Sequence, residues 1–254
     1  MSPSWLVPDW PAPANVRALS THRMGGVSTG PYQSLNLGTH VGDVPEAVQE
    51  NRRRLASAAR LPAEPVWLRQ VHGAEVADLD QAQSANRVAE EGRDAAISRC
   101  AGRVCAILTA DCVPILLAAD DGSVVGAAHA GWRGLRCGVL AATVRALDVG
   151  PERLMAWIGP SIGAAHYEVG AEVRAAMLRL DATAAAAFRL NERGRFMADL
   201  ALLARQQLQG LGIRRIGGAM ACTYADRERY FSYRRDGQTG RQATLIWLEA
   251  PQHR

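Results

Sequence analysis

VCAILTADCVPILLAADDGSVVGAAHAGWRG, residues 104 to 134, carries three short apolar runs: VCAILTA (104–110), VPILLAA (113–119) and VVGAAHA (124–130). An Asp-Cys pair parts the first two and DDGS the last two. Runs this short and this continuously apolar read as strands buried on both faces or in a sandwich core. Upstream, VWLRQV (66–71), EVADL (75–79) and DAAIS (94–98) are further β-rich segments, and VRALS (16–20) alternates like a short strand. Downstream, residues 135–147, 170–180 and 197–209 have helical periodicity, while LMAWIG (154–159), RRIGGA (214–219) and ATLIWL (243–248) return to strand. Strands and helices do not alternate strictly, so the pattern predicts an α+β fold rather than a doubly wound sheet.

Between the first strand and the rest lies THRMGGVSTGPYQSLNLGTHVGD (21–43), too long and glycine-rich to be a mere connection. A helix is expected from Asp43 to Arg60, with Asp43 as N-cap, Glu46 completing a capping box, Pro45 in the first turn and Val48, Leu55 and Ala58 near one face. SYRRDGQTGR (232–241) reads as the last loop. With no internal repeat and no linker, residues 1–254 are expected to form a single domain.

All 29 basic residues are arginine. The absence of lysine excludes Schiff-base chemistry and a Walker A loop, both of which need that amine. The net charge of +4 could suit nucleic acid, but the arginines are scattered and the one run, Arg52 to Arg54, falls on a helical pattern. No nucleic-acid partner is therefore expected, and a small anionic substrate accounts equally well for mild basicity. Five cysteines without a CxxC pair, no basic and apolar leader and no eighteen-residue apolar run predict a reduced, soluble, cytoplasmic protein without membrane contact.

The chemistry concentrates at three points. Cys112 in TADCVP, His129 in HAGWRG and His72 in RQVHG each sit at the end of an apolar run, beside a glycine, proline or acid that ends a strand. One thiolate and two imidazoles are the inventory of an open zinc site. Structural sites take four protein ligands, whereas three leave a position for water or substrate. Asp111, set between two apolar strands, is costly to bury without a partner and marks a place where the sheet opens to polar function. Gly131 and Gly134 permit a tight strand-to-helix turn after His129, with backbone N–H groups able to face an anion.

Arg23 to Asp43, Gln70 to Gly73, Thr109 to Pro114, His129 to Gly134, Gly159 to Gly163 and Phe231 to Arg241 together resemble, in this order, the motifs of the YfiH-like, or laccase-domain, family, also called peptidoglycan editing factors. The resemblance implies a four-layered α/β/β/α fold with mixed β-sheets. It also implies a zinc on His72, Cys112 and His129, and phosphorolysis of inosine, adenosine or methylthioadenosine with adenosine deamination by related proteins. Within that chemistry Arg23 and Arg133 are candidates for holding phosphate, Asn36 for the ribose or base, and Asp111 for a base or for the holder of a ligand histidine. Departures from the family pattern are few: before the TADC strand, Asp94 to Ser98 carries serine for the usual threonine, and Cys100–Gly102 lacks the usual proline, neither of them touching the triad.

Three further readings compete. A copper polyphenol oxidase is a label the family carries, but a multicopper cluster needs many histidines and this chain has six. Single copper in place of zinc is chemically possible. An amidase editing cell-wall precursors in the cytoplasm would use the same metal to attack a carbonyl. A non-catalytic binding protein whose zinc pins the fold would be supported by a fourth protein ligand, for which no further cysteine or histidine makes a strong local case. A monomer or weak homo-oligomer acting on nucleoside and phosphate is the expectation carried forward.

Overall fold

The computed structural model describes residues 5–81, 91–218 and 221–250. Ala219 of the RRIGGA segment and His253 lie outside the described residues. Most of the strands fall where the apolar runs place them, in two mixed sheets that pack face to face.

The first sheet has the order β1 (Val16–Ser20), β13 (Gln242–Leu248), β5 (Val104–Thr109), β2 (Val66–Trp67), antiparallel except for the β2–β5 pair. The second has the order β12 (Arg215–Gly218), β8 (Leu154–Ile158), β6 (Val113–Ala119), β7 (Val125–Ala130), β4 (Ala95–Ser98), β3 (Val76–Asp78), with parallel pairs only at its edges. A small third sheet joins β10 (Phe188–Leu190), β11 (Phe196–Ala198) and β9 (Glu168–Val169).

Side-chain alternation explains the layers, because successive residues of a strand point to opposite faces. Cys105 and Ile107 of β5 meet Leu116 and Ala118 of β6 and Ile246 of β13 between the two sheets. The residues between them, Val104, Ala106 and Leu108, face the other way, onto Leu35, Leu37 and Leu55. Leu55 belongs to α1 (Pro45–Ala59), so α1 and the glycine-rich loop form the outer layer on that side. On the far side, Ile115 and Leu117 of β6 pack under α2 (Trp132–Cys137), α3 (Val139–Leu147), α4 (Ala171–Leu178) and α5 (Leu200–Gly210), through Leu135, Leu140, Val173 and Leu203. The result is the expected α/β/β/α sandwich. Its strands look wholly apolar because apolar layers cover both faces of each sheet.

Four local expectations are corrected. Helix α1 begins at Pro45 behind Val44, with no side-chain cap. The Asp43 carboxylate instead accepts hydrogen bonds from Ser28 Oγ, Asn36 Nδ2 and the Val44 amide, so the loop has claimed the group that was to cap the helix. Residues 135–147 form two helices rather than one, because Gly138 takes a φ of 83° that an α-helix cannot hold. The 66–71 run is strand only over Val66–Trp67, its remainder turning toward the second sheet. The 232–241 loop contains a short helix, α6 (Tyr233–Asp236), capped by Ser232.

Candidate metal centre

The chain passes from the first sheet to the second at two crossings, and each carries a ligand candidate. One runs from β2 to β3 through His72 and the other from β5 to β6 through Asp111 and Cys112. Both crossings use left-handed backbone at a residue other than glycine, with φ of 62° at His72 and 97° at Asp111. Such conformations cost about 1–3 kcal/mol and persist where the surroundings hold them. His129 lies near the end of β7, opposite Pro114 of β6, and closes the group.

The ligand atoms of His72, Cys112 and His129 all lie within 4.8 Å of one another. Cys112 Sγ is 3.8 Å from His72 Nε2, and the two imidazoles meet edge to face with centroids 4.7 Å apart. Bonds of about 2.0–2.3 Å to a tetrahedral zinc would place ligand atoms roughly 3.3–3.8 Å apart, so small side-chain adjustments suffice. Gly131 completes the cradle: a Cβ there would stand 2.8 Å from Cys112 Sγ and 3.2 Å from His72 Cδ2. Only glycine lets the start of α2 come this close to the ligands.

The residue that organises the group is Asp94, which the sequence reading did not single out. Its fully buried carboxylate accepts hydrogen bonds from the backbone N–H of Val71, His72 and Gly73 at 2.7–3.1 Å. It also lies 2.8 Å from His129 Nδ1, and its carbonyl accepts the His129 amide at 2.7 Å. With Nδ1 engaged, His129 is left with Nε2 for a metal, the arrangement in which a carboxylate fixes the tautomer of a ligand histidine. One carboxylate therefore sets both the backbone of one ligand and the ring of another.

Electrostatics in the metal-free group follow from this packing. Burial alone would push the Cys112 thiol up, but the His129 charge and hydrogen bonds from both histidines reverse it and bring the thiol down to about 6. Burial likewise works against a charged His129, yet Cys112 and Asp94 together raise it well above the usual imidazole value. Asp94 is depressed in spite of its burial, through His129 and the three backbone amides. The group is thus an imidazolium between two anions. In metal-stripped protein, alkylation of Cys112 by iodoacetamide is expected to hold a plateau above about pH 6 and to fall about tenfold per pH unit below it, since the thiolate is the nucleophile. Cys105, buried between the sheets with its thiol pushed up, should stay unlabelled. Peptide mass mapping reads both, and a Cys112 that reacts only above pH 8 would contradict the ion-pair geometry.

The remaining candidates are placed as follows. Asp111 is buried, its carboxylate accepting from Thr223 Oγ1 at 2.7 Å and from the Arg234 amide at 2.6 Å. It holds α6 against the site, and the histidine-holding part falls to Asp94. Asn36 is fully buried and spends its amide on Gly38, Asp43 and the Arg241 N–H, which is turn-forming work. Arg23 lies over the Phe231 ring and donates to the carbonyls of Gln33 and Arg227, and the charges acting on it are those of Asp236, Arg235 and Arg227 rather than the triad. Arg133 is exposed at the start of α2, over the Trp132 ring, and together with Arg234 and Cys112 it acts on the buried Tyr167. Of the two arginines, Arg133 is the one whose charge acts on a residue that Cys112 also acts on.

Comparison with known proteins supplies the family. Residues 17–249 match the family model described as multi-copper polyphenol oxidoreductase laccase. The chain is similar to the purine nucleoside phosphorylase YfiH of Escherichia coli, 50% identical over 243 residues covering 96% of this chain and 98% of that one. It is also 50% identical over 247 residues to a purine nucleoside phosphorylase of Pseudomonas aeruginosa, covering 97% and 99% of the two chains. Among solved structures, the Neisseria meningitidis protein NMB0706 superposes with a TM-score of 0.90 at 46% identity, over 97% of this chain and 99% of that one. YlmD of Geobacillus stearothermophilus gives 0.89 at 33% identity, over 98% of both chains. Fold, motifs and near-complete coverage agree, and the chain belongs to the YfiH-like family of laccase-domain proteins.

Proposed function

We propose that this chain is a zinc-dependent purine nucleoside phosphorylase acting on inosine, adenosine and methylthioadenosine, with adenosine deaminase activity at the same centre. The observation that carries the reading is the open three-ligand group of His72, Cys112 and His129 in a chain 50% identical, nearly end to end, to proteins named purine nucleoside phosphorylase. One sulfur and two nitrogen donors suit zinc, and a bound zinc would supply a Lewis acid with one position left for substrate or water.

In phosphorolysis a phosphate oxygen forms a bond to ribose C1′ while the C1′–N9 bond breaks, and the electron pair leaves with purine N9, which takes up a proton from water. The protein's task is to hold an anion against a sugar carbon and to shape the departing base. Tyr167, on which the charges of Cys112 and Arg133 act, is our candidate for the wall beside the departing base, and Asp111 keeps α6 with its exposed Tyr233 docked by its hydrogen bond from the Arg234 amide. The oxidase reading rests on the description of the matching family model. Against it, the triad is the only such ligand cluster among the described residues, and a multicopper centre needs more than one.

The test is phosphate dependence with metal measured on the same sample. Purified protein is expected to carry about one zinc per chain and to release hypoxanthine from inosine only when phosphate is present. Adenosine without phosphate should yield inosine by deamination. Zinc-loaded protein that leaves all three nucleosides intact with phosphate would overturn the reading. Catechol oxidation that follows added copper would favour the oxidase instead.

A further inference from the structure

Arg241 stands between Gly240 and the first residue of β13, whose Gln242 lies opposite Thr109 of β5, three residues before Cys112. Its backbone N–H is fixed by Asn36, and a methyl group on Gly38 would stand 2.9 Å from Arg241 Cγ and 3.5 Å from His40 Cε1. The two side chains thus flank Gly38, one from each loop, at the same end of the sandwich as the triad. The half-buried guanidinium lies 6.0 Å from the Tyr233 ring centroid and donates through Nη1 alone, to the carbonyls of Thr239 and Gly240 at 3.0 Å. Its Nε and Nη2 donate to nothing among the described residues, and it forms no ion pair there. His40 has no hydrogen-bond partner among them either.

The negative charges that reach Arg241 most strongly are Cys112 and Asp111. Both are committed elsewhere, since the Asp111 oxygens hold Thr223 and the Arg234 amide, and the Cys112 thiolate is a metal ligand in the reading above. Loading the centre with a divalent cation removes the thiolate as a counter-charge and leaves guanidinium, imidazole and metal as an electropositive wall. A guanidinium with two open donors in fixed geometry is matched by the oxygens of a tetrahedral oxyanion.

We propose that Arg241 and His40 form the oxyanion subsite of this centre and receive the attacking phosphate, a part for which the sequence offered Arg23 and Arg133. This rests on the phosphorylase reading and names the residues that would serve it. Oxyanion contact at Arg241 and His40 leaves the triad's open side to the nucleoside.

The experiment compares wild type, Arg241→Met and His40→Gln, all zinc-loaded with metal content and circular dichroism matched, by titration calorimetry with inorganic phosphate and by steady-state phosphorolysis of inosine. His40 is an exposed loop residue, so its variant is expected to fold even where Arg241→Met does not. The expected result is a phosphate KM and Kd raised by about 10- to 100-fold in Arg241→Met and about 3- to 10-fold in His40→Gln, with inosine KM within about twofold of wild type. Unchanged phosphate binding in a folded Arg241→Met, or in His40→Gln should Arg241→Met fail to fold, would overturn the subsite. Should wild type bind phosphate and the variants not, while no preparation cleaves nucleosides, the subsite stands and the phosphorylase reading falls. Should wild type cleave inosine with phosphate while both variants keep its phosphate KM, the phosphorylase reading stands and the subsite falls.

Discussion

His129→Ala is expected to yield protein that purifies without zinc and without phosphorolysis. The imidazole is one of three ligands and the one whose orientation is most constrained, with Nδ1 on Asp94 and the ring edge to face with His72. Two remaining ligands, one of them a thiolate, do not make a stable open zinc site. Zinc measured by inductively coupled plasma spectrometry should fall from about one per chain to below roughly a tenth, and inosine cleavage to background. Because His129 is buried in β7, its loss also leaves Asp94 short of its charged partner, and a fall in melting temperature is expected alongside. Cys112→Ser separates the two effects. Cys112 is half-buried at a crossing rather than inside a strand, so this variant should remain folded while losing metal and activity together. Activity retained in either variant at wild-type level would remove the triad from the reaction.

Asp94→Asn is the second large effect, and it reaches the metal without touching it. The asparagine presents one oxygen where the carboxylate presented two, and its NH2 faces either the loop amides or His129 Nδ1. At least one buried donor must then lose its partner, at a cost of about 1–3 kcal/mol per group and more where charge is involved. Zinc affinity should fall about 10- to 100-fold, as expected when the carboxylate behind a ligand histidine is removed. The substitution also changes the acid limb of stability. Since the folded-state value of Asp94 is depressed, its contribution is fully present above the ordinary carboxylate range and is lost as pH falls through the lower folded value. Wild type should therefore lose stability on acidification below about pH 4 more steeply than Asp94→Asn, as urea midpoints across pH would record. Equal zinc affinity in the two proteins would mean that the triad holds its geometry without Asp94.

The strands were legible in the sequence wherever layers cover both faces. In 104–119 the apolar character hardly lapses, and the one lapse, at Asp111 and Cys112, is where the chain changes sheets. The helix starts were less legible, because capping signals also serve loops. Asp43 carries every mark of an N-cap, yet Ser28 and Asn36 take its carboxylate, and those partners lie 15 and 7 residues away. The triad could be named because each ligand sits at a strand end beside a breaker residue. Asp94 gave the same cue as Asp111, a lone acid at the border of an apolar strand. What the sequence could not supply was which acid would face a histidine, since that depends on the pairing of β4 with β7. For Arg23, Asn36 and Arg133, polar residues of motif loops, the sequence offered roles by residue type but not which of them faces the site. The packing separates them, committing Asn36 to a turn and Arg23 to a ring face and leaving Arg133 exposed at the start of α2.

The two crossings from sheet to sheet bear on how the sandwich comes apart. With His72 on one and Cys112 on the other, a bound ion would join the two places where the polypeptide leaves the first sheet for the second. Prying the sheets apart at that end would then require the ion to depart first. Such a latch deepens the native well by the binding free energy of the ion and slows opening by up to the same factor, so the folded state of the holo protein should outlive that of the apo protein. The last-exchanging amides of the holo form would be those of β5 and β6 flanking the seam.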